Sequence, residues 1–171
     1  MRFLTIVRHC KSSPAPEGGS DFDRPLNRRG REQAEQLREW ARDPEQLGQY
    51  GPTTALVSAA ARTRETFRRA FDETPFVVRH EYSDLIYNGR REVSPEDLLI
   101  DLAAIDPVTM SLLVVAHNPT VHELVFALAT KVPKVLREGN YPLGGAFVLA
   151  LPDNRQVGLM NYDVVASFVP D

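Results

Sequence analysis

The chain has 171 residues, a length that fits one domain, and 43% of them are apolar, which is enough to form a core without a metal or a disulfide. Its formal net charge of −3 excludes the global basic field of a typical nucleic-acid-binding protein. The single cysteine, Cys10, excludes an intrachain disulfide and is the usage expected in a reducing compartment.

The first half of the chain alternates between apolar strands and amphipathic helices. Residues 3–7 form a short run with β-branched side chains, which predicts a strand buried on both faces. The run ends at Arg8, far too early for a signal peptide or a membrane span, so a soluble cytoplasmic protein is expected. Asn27 is the predicted N-cap of a helix that extends to about residue 43. Residues 55–57 predict a second buried strand, and residues 61–71 predict the helix that follows it.

The second half of the chain continues this alternation. A helix is predicted with Ser94 as its cap and Pro95 at its first position. A strand over residues 112–116 and a helix that begins at Asn118-Pro119 follow it. The last two predicted elements are strands over residues 146–151 and 157–162, joined by a turn at Asp153-Asn154. Alternation of strands and helices is the pattern of an α/β fold, and we expect one domain over residues 1–171.

Three of the predicted strands lead to side chains that can bind or attack a phosphoryl group. Arg8 and His9 follow the first strand, Arg62 begins the helix after the second, and His117 follows the third. Because ligands of open α/β sheets bind at the carboxyl ends of the strands, these groups converge if the strands are neighbours. The two guanidinium groups can hold phosphate oxygens, while a neutral imidazole of His9 attacks phosphorus. Such positioning and electrostatic stabilisation suffice for phosphoryl transfer, so we predict a phosphatase that needs no metal.

Four ordered motifs surround these residues, and a fifth precedes the last strands. They are Leu4 to Ser13 around Arg8-His9; Asp23-Arg24-Pro25-Leu26-Asn27 with Gly30 and Ala34; Ser58 with Arg62-Thr63 and Thr66; Val115-Ala116-His117-Asn118-Pro119; and Tyr141-Pro142 with Gly144-Gly145. Their order and spacing resemble the histidine phosphatase superfamily, which has the phosphoglycerate mutase-like fold. Within it they resemble the SixA-like phosphohistidine phosphatase branch.

The resemblance implies a three-layer α/β/α sandwich with a mostly parallel central sheet and no cofactor. It implies that His9 is the nucleophile, that Arg8 and Arg62 bind phosphate, and that His117 stabilises the transition state. The implied reaction transfers a phosphoryl group to His9 and then to water, with phosphohistidine on a partner protein as the leading substrate. The alternatives are a small-molecule phosphomonoesterase, a phosphoglycerate mutase-like enzyme, and a catalytically silent phosphate-binding regulatory module.

The sequence departs from the family pattern at two places. Cys10 stands where the superfamily commonly has glycine, and we expect it to pack as a small apolar residue. The general acid has no clear motif: the candidates are Glu81, Asp84 or none, and we choose Asp84. A leaving imidazole has a conjugate-acid pKa of about 6.5, far below that of an alkoxide leaving group, so a poorly placed acid favours a phosphohistidine substrate.

Several further residues have two readings each. Lys11, Ser12 and Ser13 either line the mouth of the pocket or form a turn, and Arg24 and Asn27 either contact the substrate or only cap and anchor the first helix. Arg90 and Arg91 either form a solvated turn or guide a protein substrate. His122 follows His117 by five residues, which does not place two imidazoles on one helical face, so no metal site is predicted. The expected partners exclude nucleic acid and membrane, and a monomer or weak dimer is expected.

Overall fold

Six strands form one sheet among the residues that the computed structural model describes, which are 2–84, 86–87, 94–95, 97–98, 102, 111–152 and 158–171. In chain order they are β1 (Phe3–Arg8), β2 (Thr54–Ser58), β3 (Arg79–Ser83), β4 (Ser111–Ala116), β5 (Ala146–Ala150) and β6 (Asp163–Phe168). The order across the sheet is β3-β2-β4-β1-β5-β6. The first four of these strands are parallel, β5 is antiparallel to β1, and β6 is antiparallel to β5.

Helices cover the sheet on both faces. They are α1 (Arg28–Arg42), α2 (Ala61–Ala70), α3 (Thr120–Leu128) and α4 (Lys134–Arg137), with short 3-10 segments at Asp21–Asp23 and Leu47–Tyr50. No helix within the described ranges has the length and apolar character needed to cross a bilayer.

The core has two halves, one on each face of the sheet. Ile6 of β1 packs with Leu124 of α3 in one half, whereas the next residue, Val7, packs with Leu37 of α1 and Phe67 of α2 in the other. Successive side chains of a strand point to opposite faces, so this division follows from the strand itself. The expected three-layer α/β/α sandwich with a mostly parallel sheet is therefore confirmed.

Most of the predicted elements are confirmed within a residue or two. The Asn27 side chain accepts a hydrogen bond from the Gly30 amide at 2.8 Å and caps α1, as its sequence position predicts. Ser94 Oγ accepts from the Asp97 amide at 3.1 Å, which agrees with the predicted cap. Most of the helix that Ser94 begins, like the predicted turn at residues 153–154, lies outside the described residues.

The predicted strand over residues 157–162 is wrong. The last strand is Asp163–Phe168, and residues 158–160 are bends and turns that precede it. Tyr162, the last residue of the predicted strand, is fully buried and forms an isolated bridge with Ala129, directly before the observed strand begins. The sequence also gave no sign of β3 (Arg79–Ser83), because four of its five residues are exposed and it lacks an apolar run. Both strands lie at edges of the sheet, where the core does not impose a pattern.

Candidate active site

Three neighbouring parallel strands bring the predicted phosphate-binding groups to one edge of the sheet. Strand β4 lies between β1 and β2, so Arg8, His117 and Ser58 are at the ends of adjacent strands. The His9 amide donates to the Ala116 carbonyl at 3.1 Å and extends the pairing by one residue. The His9 and His117 rings lie 5.0 Å apart between centroids. The convergence expected from the sequence is therefore present.

A cavity of about 310 Å³ lies at this edge of the sheet. Its lining consists of Arg8, His9, Lys11, Ser12, Arg24, Arg62, His117, Asn118 and Leu143. Four of these nine residues carry a cationic side chain, which makes the cavity a suitable site for an anion with several oxygens.

His9 has the geometry of a neutral nucleophile. Its side chain is almost fully buried, and Nδ1 lies 2.8 Å from the Cys10 carbonyl oxygen. A carbonyl can only accept a hydrogen bond, so Nδ1 carries the proton and Nε2 keeps its lone pair. Burial lowers the pKa of His9 to about 3, helped by Arg62, Arg8 and Arg24, while the bond to Cys10 opposes the shift. The imidazole is therefore uncharged at neutral pH.

His117 is held by a different contact. Its Nε2 lies 2.8 Å from Ser58 Oγ, whereas its Nδ1 is buried and has no hydrogen-bond partner among the described residues. Burial lowers the pKa of His117 to about 2, with further lowering by His9, Arg62 and Arg8 and an opposing effect of Asp21. Without a ligand, this imidazole too is neutral at neutral pH. An anion in the cavity would favour the protonated form of this imidazole.

Arg62 and Arg24 converge on Asp21, a residue that the sequence analysis did not select. Arg62 donates from Nη1 to the Asp21 carbonyl at 2.6 Å and from Nη2 to Oδ2 at 3.0 Å. Arg24 donates from Nη1 to Asp21 Oδ1 at 2.8 Å, and Tyr87 Oη donates to Oδ2 at 2.9 Å. The hydrogen bonds from Arg24 hold the pKa of Asp21 well below its usual range, aided by Tyr87 and Arg62. The one available signal was its position three residues before Arg24, in the loop before α1.

The segment that carries Lys11 and Ser12 rests against the start of α1. The Asn27 amide donates to the Lys11 carbonyl at 3.0 Å, and Ser12 bridges to Leu26 in antiparallel fashion. A Cβ at Gly30 would lie 2.0 Å from the Lys11 oxygen, so the approach requires glycine. Ser12 Oγ in turn accepts from Arg24 Nη2 at 2.9 Å. These contacts hold three of the cavity-lining residues, Lys11, Ser12 and Arg24, close to one another.

The end of β1 is fixed from the other side by the loop before β5. Arg8 Nη1 donates to the Tyr141 carbonyl, and the Gly144 amide lies 3.2 Å from the carbonyl oxygens of both Arg8 and His9. Gly144 has φ +72, and a Cβ there would lie 3.1 Å from Cys10 Sγ. Cys10 itself is fully buried, and burial raises the pKa of its thiol to about 12. It packs as the small apolar residue that was expected.

The structure does not bring every predicted residue to the cavity. Asn27 caps α1 and is not among the lining residues. Asp84 is exposed, follows β3 and is also not in the lining, while Glu81 is exposed on β3 itself. Arg90 and Arg91 lie outside the described residues.

His122 does not join the other two histidines. Its ring stacks on Phe126, with a centroid distance of 4.6 Å, and it does not line the cavity. Within the described ranges, no group of three or more His, Cys, Asp or Glu side chains has the arrangement needed to hold a metal ion.

Comparisons with known proteins agree with this architecture. The family model of the histidine phosphatase superfamily (branch 1) matches residues 4–85. A solved structure from Agrobacterium tumefaciens, assigned as the phosphohistidine phosphatase SixA, is 26% identical with a TM-score of 0.75 and 99% coverage of both chains. The protein histidine phosphatase SixA solved with tungstate shares the fold at a TM-score of 0.75 and 18% identity, with 98% of this chain and 97% of that chain covered. An uncharacterised protein of Mycobacterium leprae is 28% identical, over 96% of this chain and 99% of the relative.

Proposed function

Since the chain belongs to the histidine phosphatase superfamily and is a histidine-dependent phosphatase, we propose that it removes the phosphoryl group from phosphohistidine on a partner protein, with His9 as the nucleophile. The observation that carries the choice of nucleophile is the hydrogen bond between His9 Nδ1 and the Cys10 carbonyl oxygen. That bond leaves the Nε2 lone pair free, beside a cavity lined by four cationic side chains.

The first step forms a bond between His9 Nε2 and phosphorus. The substrate ring carries a proton on its other nitrogen, so when its bond to phosphorus breaks the electron pair leaves with it and the product is neutral imidazole. In the second step a water oxygen bonds to phosphorus, the His9–phosphorus bond breaks with its electron pair returning to Nε2, and inorganic phosphate is released as one proton of the water passes to solvent. His9 returns to its neutral state, so one residue serves both steps.

The surrounding cations stabilise the group that is transferred. Arg8 and Arg62 bind the phosphoryl oxygens in the ground state and hold them as charge shifts in the transition state. His117 presents an imidazole without a Nδ1 partner, and a phosphoryl dianion in the cavity favours its protonated form. Lys11, Ser12 and Arg24 also line the cavity, where they are available to bind the phosphoryl group or the rest of the substrate.

The state of Asp21 supports a substrate with a good leaving group. Among the residues that the structure describes, Asp21 is the carboxylate that contacts Arg62 and Arg24, and its ion pairs keep it ionised, so it has no proton to give to a leaving oxygen. An imidazole with a conjugate-acid pKa of about 6.5 departs without such help far more readily than an alkoxide does. The 26% identical A. tumefaciens structure, itself assigned as a phosphohistidine phosphatase, supports the same choice.

The proposal is tested with three phosphorylated substrates: a protein phosphorylated on histidine, an aryl phosphate and an alkyl phosphate such as glycerol phosphate. We expect rapid phosphate release from phosphohistidine, slower release from the aryl ester and little from the alkyl ester. His9→Asn keeps an amide NH₂ to donate to the Cys10 carbonyl but lacks the nucleophile, so its rate should fall by about 10³-fold or more. His122→Asn is the matched control and should retain the wild-type rate.

Three results would overturn the proposal. Equal and negligible rates for the wild type and His9→Asn would indicate a silent phosphate-binding module. A preference for the alkyl ester would indicate a small-molecule phosphomonoesterase. Return of the phosphoryl group to a phosphoglycerate, detected as a burst without net phosphate release, would indicate a mutase.

A further inference from the structure

Asp21 links two of the arginines that line the cavity, Arg24 and Arg62. Its two carboxylate oxygens accept from Arg24 Nη1 at 2.8 Å, Arg62 Nη2 at 3.0 Å and Tyr87 Oη at 2.9 Å, and its backbone carbonyl accepts from Arg62 Nη1 at 2.6 Å. Such charge-assisted bonds fix the plane of a guanidinium as well as its position. One residue thus sets the orientation of two cations.

The position of Asp21 relative to the cavity indicates that it holds the arginines in place and does not block the phosphate site. Both Arg62 and Arg24 line the cavity, whereas Asp21 and Tyr87 do not. The carboxylate therefore contacts the guanidinium groups from outside the space that a phosphoryl group would occupy. Each guanidinium has five N–H donors, so the bonds to Asp21 leave others on Arg62 free for phosphate.

The ion pair between Arg62 and Asp21 is favourable because Arg62 is buried. The Arg62 side chain is only 7% exposed, while that of Asp21 is 53% exposed. A buried cation needs a partner, and a partly solvated carboxylate supplies one without being fully desolvated itself. Tyr87 completes the support: its ring lies 5.8 Å from the Arg62 guanidinium carbon and packs edge-on against His117 at 5.5 Å.

We propose that Asp21, held by Tyr87, is a positioning residue of this phosphatase that fixes Arg62 and Arg24 in the orientation that binds the phosphoryl group. This inference rests on the proposed function, because it assigns the arginines to phosphate binding. Asp21 does not touch the phosphoryl group and donates no proton. It acts through the two guanidinium groups.

The direction in which phosphate affinity changes when Asp21 is replaced distinguishes a positioning role from one in which Asp21 competes with phosphate for the arginines. If Asp21 only occupied the arginines and had to be displaced, its loss would release them and tighten phosphate binding. Coulomb's law favours the same direction, because removal of a negative charge strengthens the field on an anion. A weaker binding of phosphate after Asp21→Asn is therefore specific to the loss of positioning.

The experiment measures the Kd of inorganic phosphate by calorimetry on the full chain, together with KM and kcat for an aryl phosphate. We expect Asp21→Asn to weaken phosphate binding and raise KM by about 10-fold or more, since displacement of a binding group by about 1 Å has effects up to about 100-fold. Tyr87→Phe keeps the ring and removes one hydrogen bond, so a smaller change of the same sign is expected. The double variant should be no worse than Asp21→Asn alone, because Tyr87 Oη acts through Asp21.

Asp23→Asn is the matched control. Asp23 lies two residues away in the same turn, and its carboxylate accepts from the Ser20 amide at 2.9 Å and from Ser20 Oγ at 2.7 Å. It should leave phosphate affinity unchanged. An unchanged or tighter phosphate Kd in Asp21→Asn, or an equal loss in Asp23→Asn, would overturn the inference. If the wild type binds phosphate but hydrolyses none of the substrates, the proposed function fails while the comparison of phosphate affinities still decides the role of Asp21.

Discussion

Mild acid should destabilise this protein through His9 and His117. Both imidazoles are buried, and burial lowers the pKa to about 3 for His9 and to about 2 for His117. In the unfolded chain a histidine has a pKa of about 6.5. Below that pH the unfolded state binds protons that the folded state excludes, so folding stability is lost as pH falls from about 6.5 towards the folded pKa values.

The size of the effect follows from proton linkage. Between pH 7.0 and pH 5.5 the folded state keeps both imidazoles neutral, while each unfolded imidazole goes from about one quarter to about nine tenths protonated. The difference is about 1.3 kcal/mol for each histidine and about 2.5 kcal/mol for the two together. This interval avoids the carboxylates, whose unfolded pKa values lie near 4 and which hardly titrate above pH 5.5.

Urea unfolding at pH 7.0 and pH 5.5, in buffers free of phosphate and sulfate, measures this loss directly. His9→Asn and His117→Asn should each remove about half of it, about 1.3 kcal/mol, whatever their effect on stability at pH 7.0. Phosphate is omitted because an anion in the cavity favours the charged imidazoles and would hide the effect. If both variants lose as much stability as the wild type over this interval, the two histidines titrate normally and the argument for a neutral nucleophile fails.

Three further predictions test particular contacts. Gly30→Ala should destabilise the fold by about 1–3 kcal/mol in urea unfolding, because its Cβ would lie 2.0 Å from the Lys11 carbonyl oxygen. Ser58→Ala removes the partner of His117 Nε2 and should lower kcat for an aryl phosphate by about 10-fold; it should also lower the free energy of unfolding by about 1–3 kcal/mol, because the buried nitrogen loses its hydrogen bond. The Cys10 thiol, whose pKa burial raises to about 12, should react with a disulfide reagent only after unfolding, and rapid reaction of the native protein would contradict its burial.

The parts of the fold that the sequence predicts are those that the core determines. Strands β1, β2 and β4 are central, and their residues must be apolar on both faces, so each leaves a short uninterrupted apolar run. Arg8, His9 and His117 can be predicted because they lie at or directly after the ends of β1 and β4, and Arg62 because it lies in the first turn of the helix that follows β2, at the edge that parallel strands share. Their convergence needed only the adjacency of three strands, which the sheet order provides.

The parts that the sequence does not predict are set by exposure or by long-range pairing. Four of the five residues of the edge strand β3 are exposed and none of the six residues of the edge strand β6 is fully buried, so these residues need not be apolar and the periodicity fades. Asp21 was missed for a related reason: nothing in a loop of polar residues distinguishes the carboxylate that meets Arg62, 41 positions later, from its neighbour Asp23. Asp84 was chosen as the general acid on sequence position alone, and it lies outside the cavity lining.

The charge of the site explains why His9 and His117 suit both steps of the proposed reaction. Without substrate, the burial of both rings and, to a smaller extent, the cations around the cavity keep the two imidazoles unprotonated, so the proposed nucleophile is already in its reactive form. A phosphoryl dianion in the cavity would offset part of this positive field and so favour a proton on His117. In the same state His9 would be protected from protonation, because its Nε2 would be bonded to phosphorus. In this proposal the arginines have two roles: they bind the anion, and until it arrives they add to the effect of burial in keeping the histidines neutral.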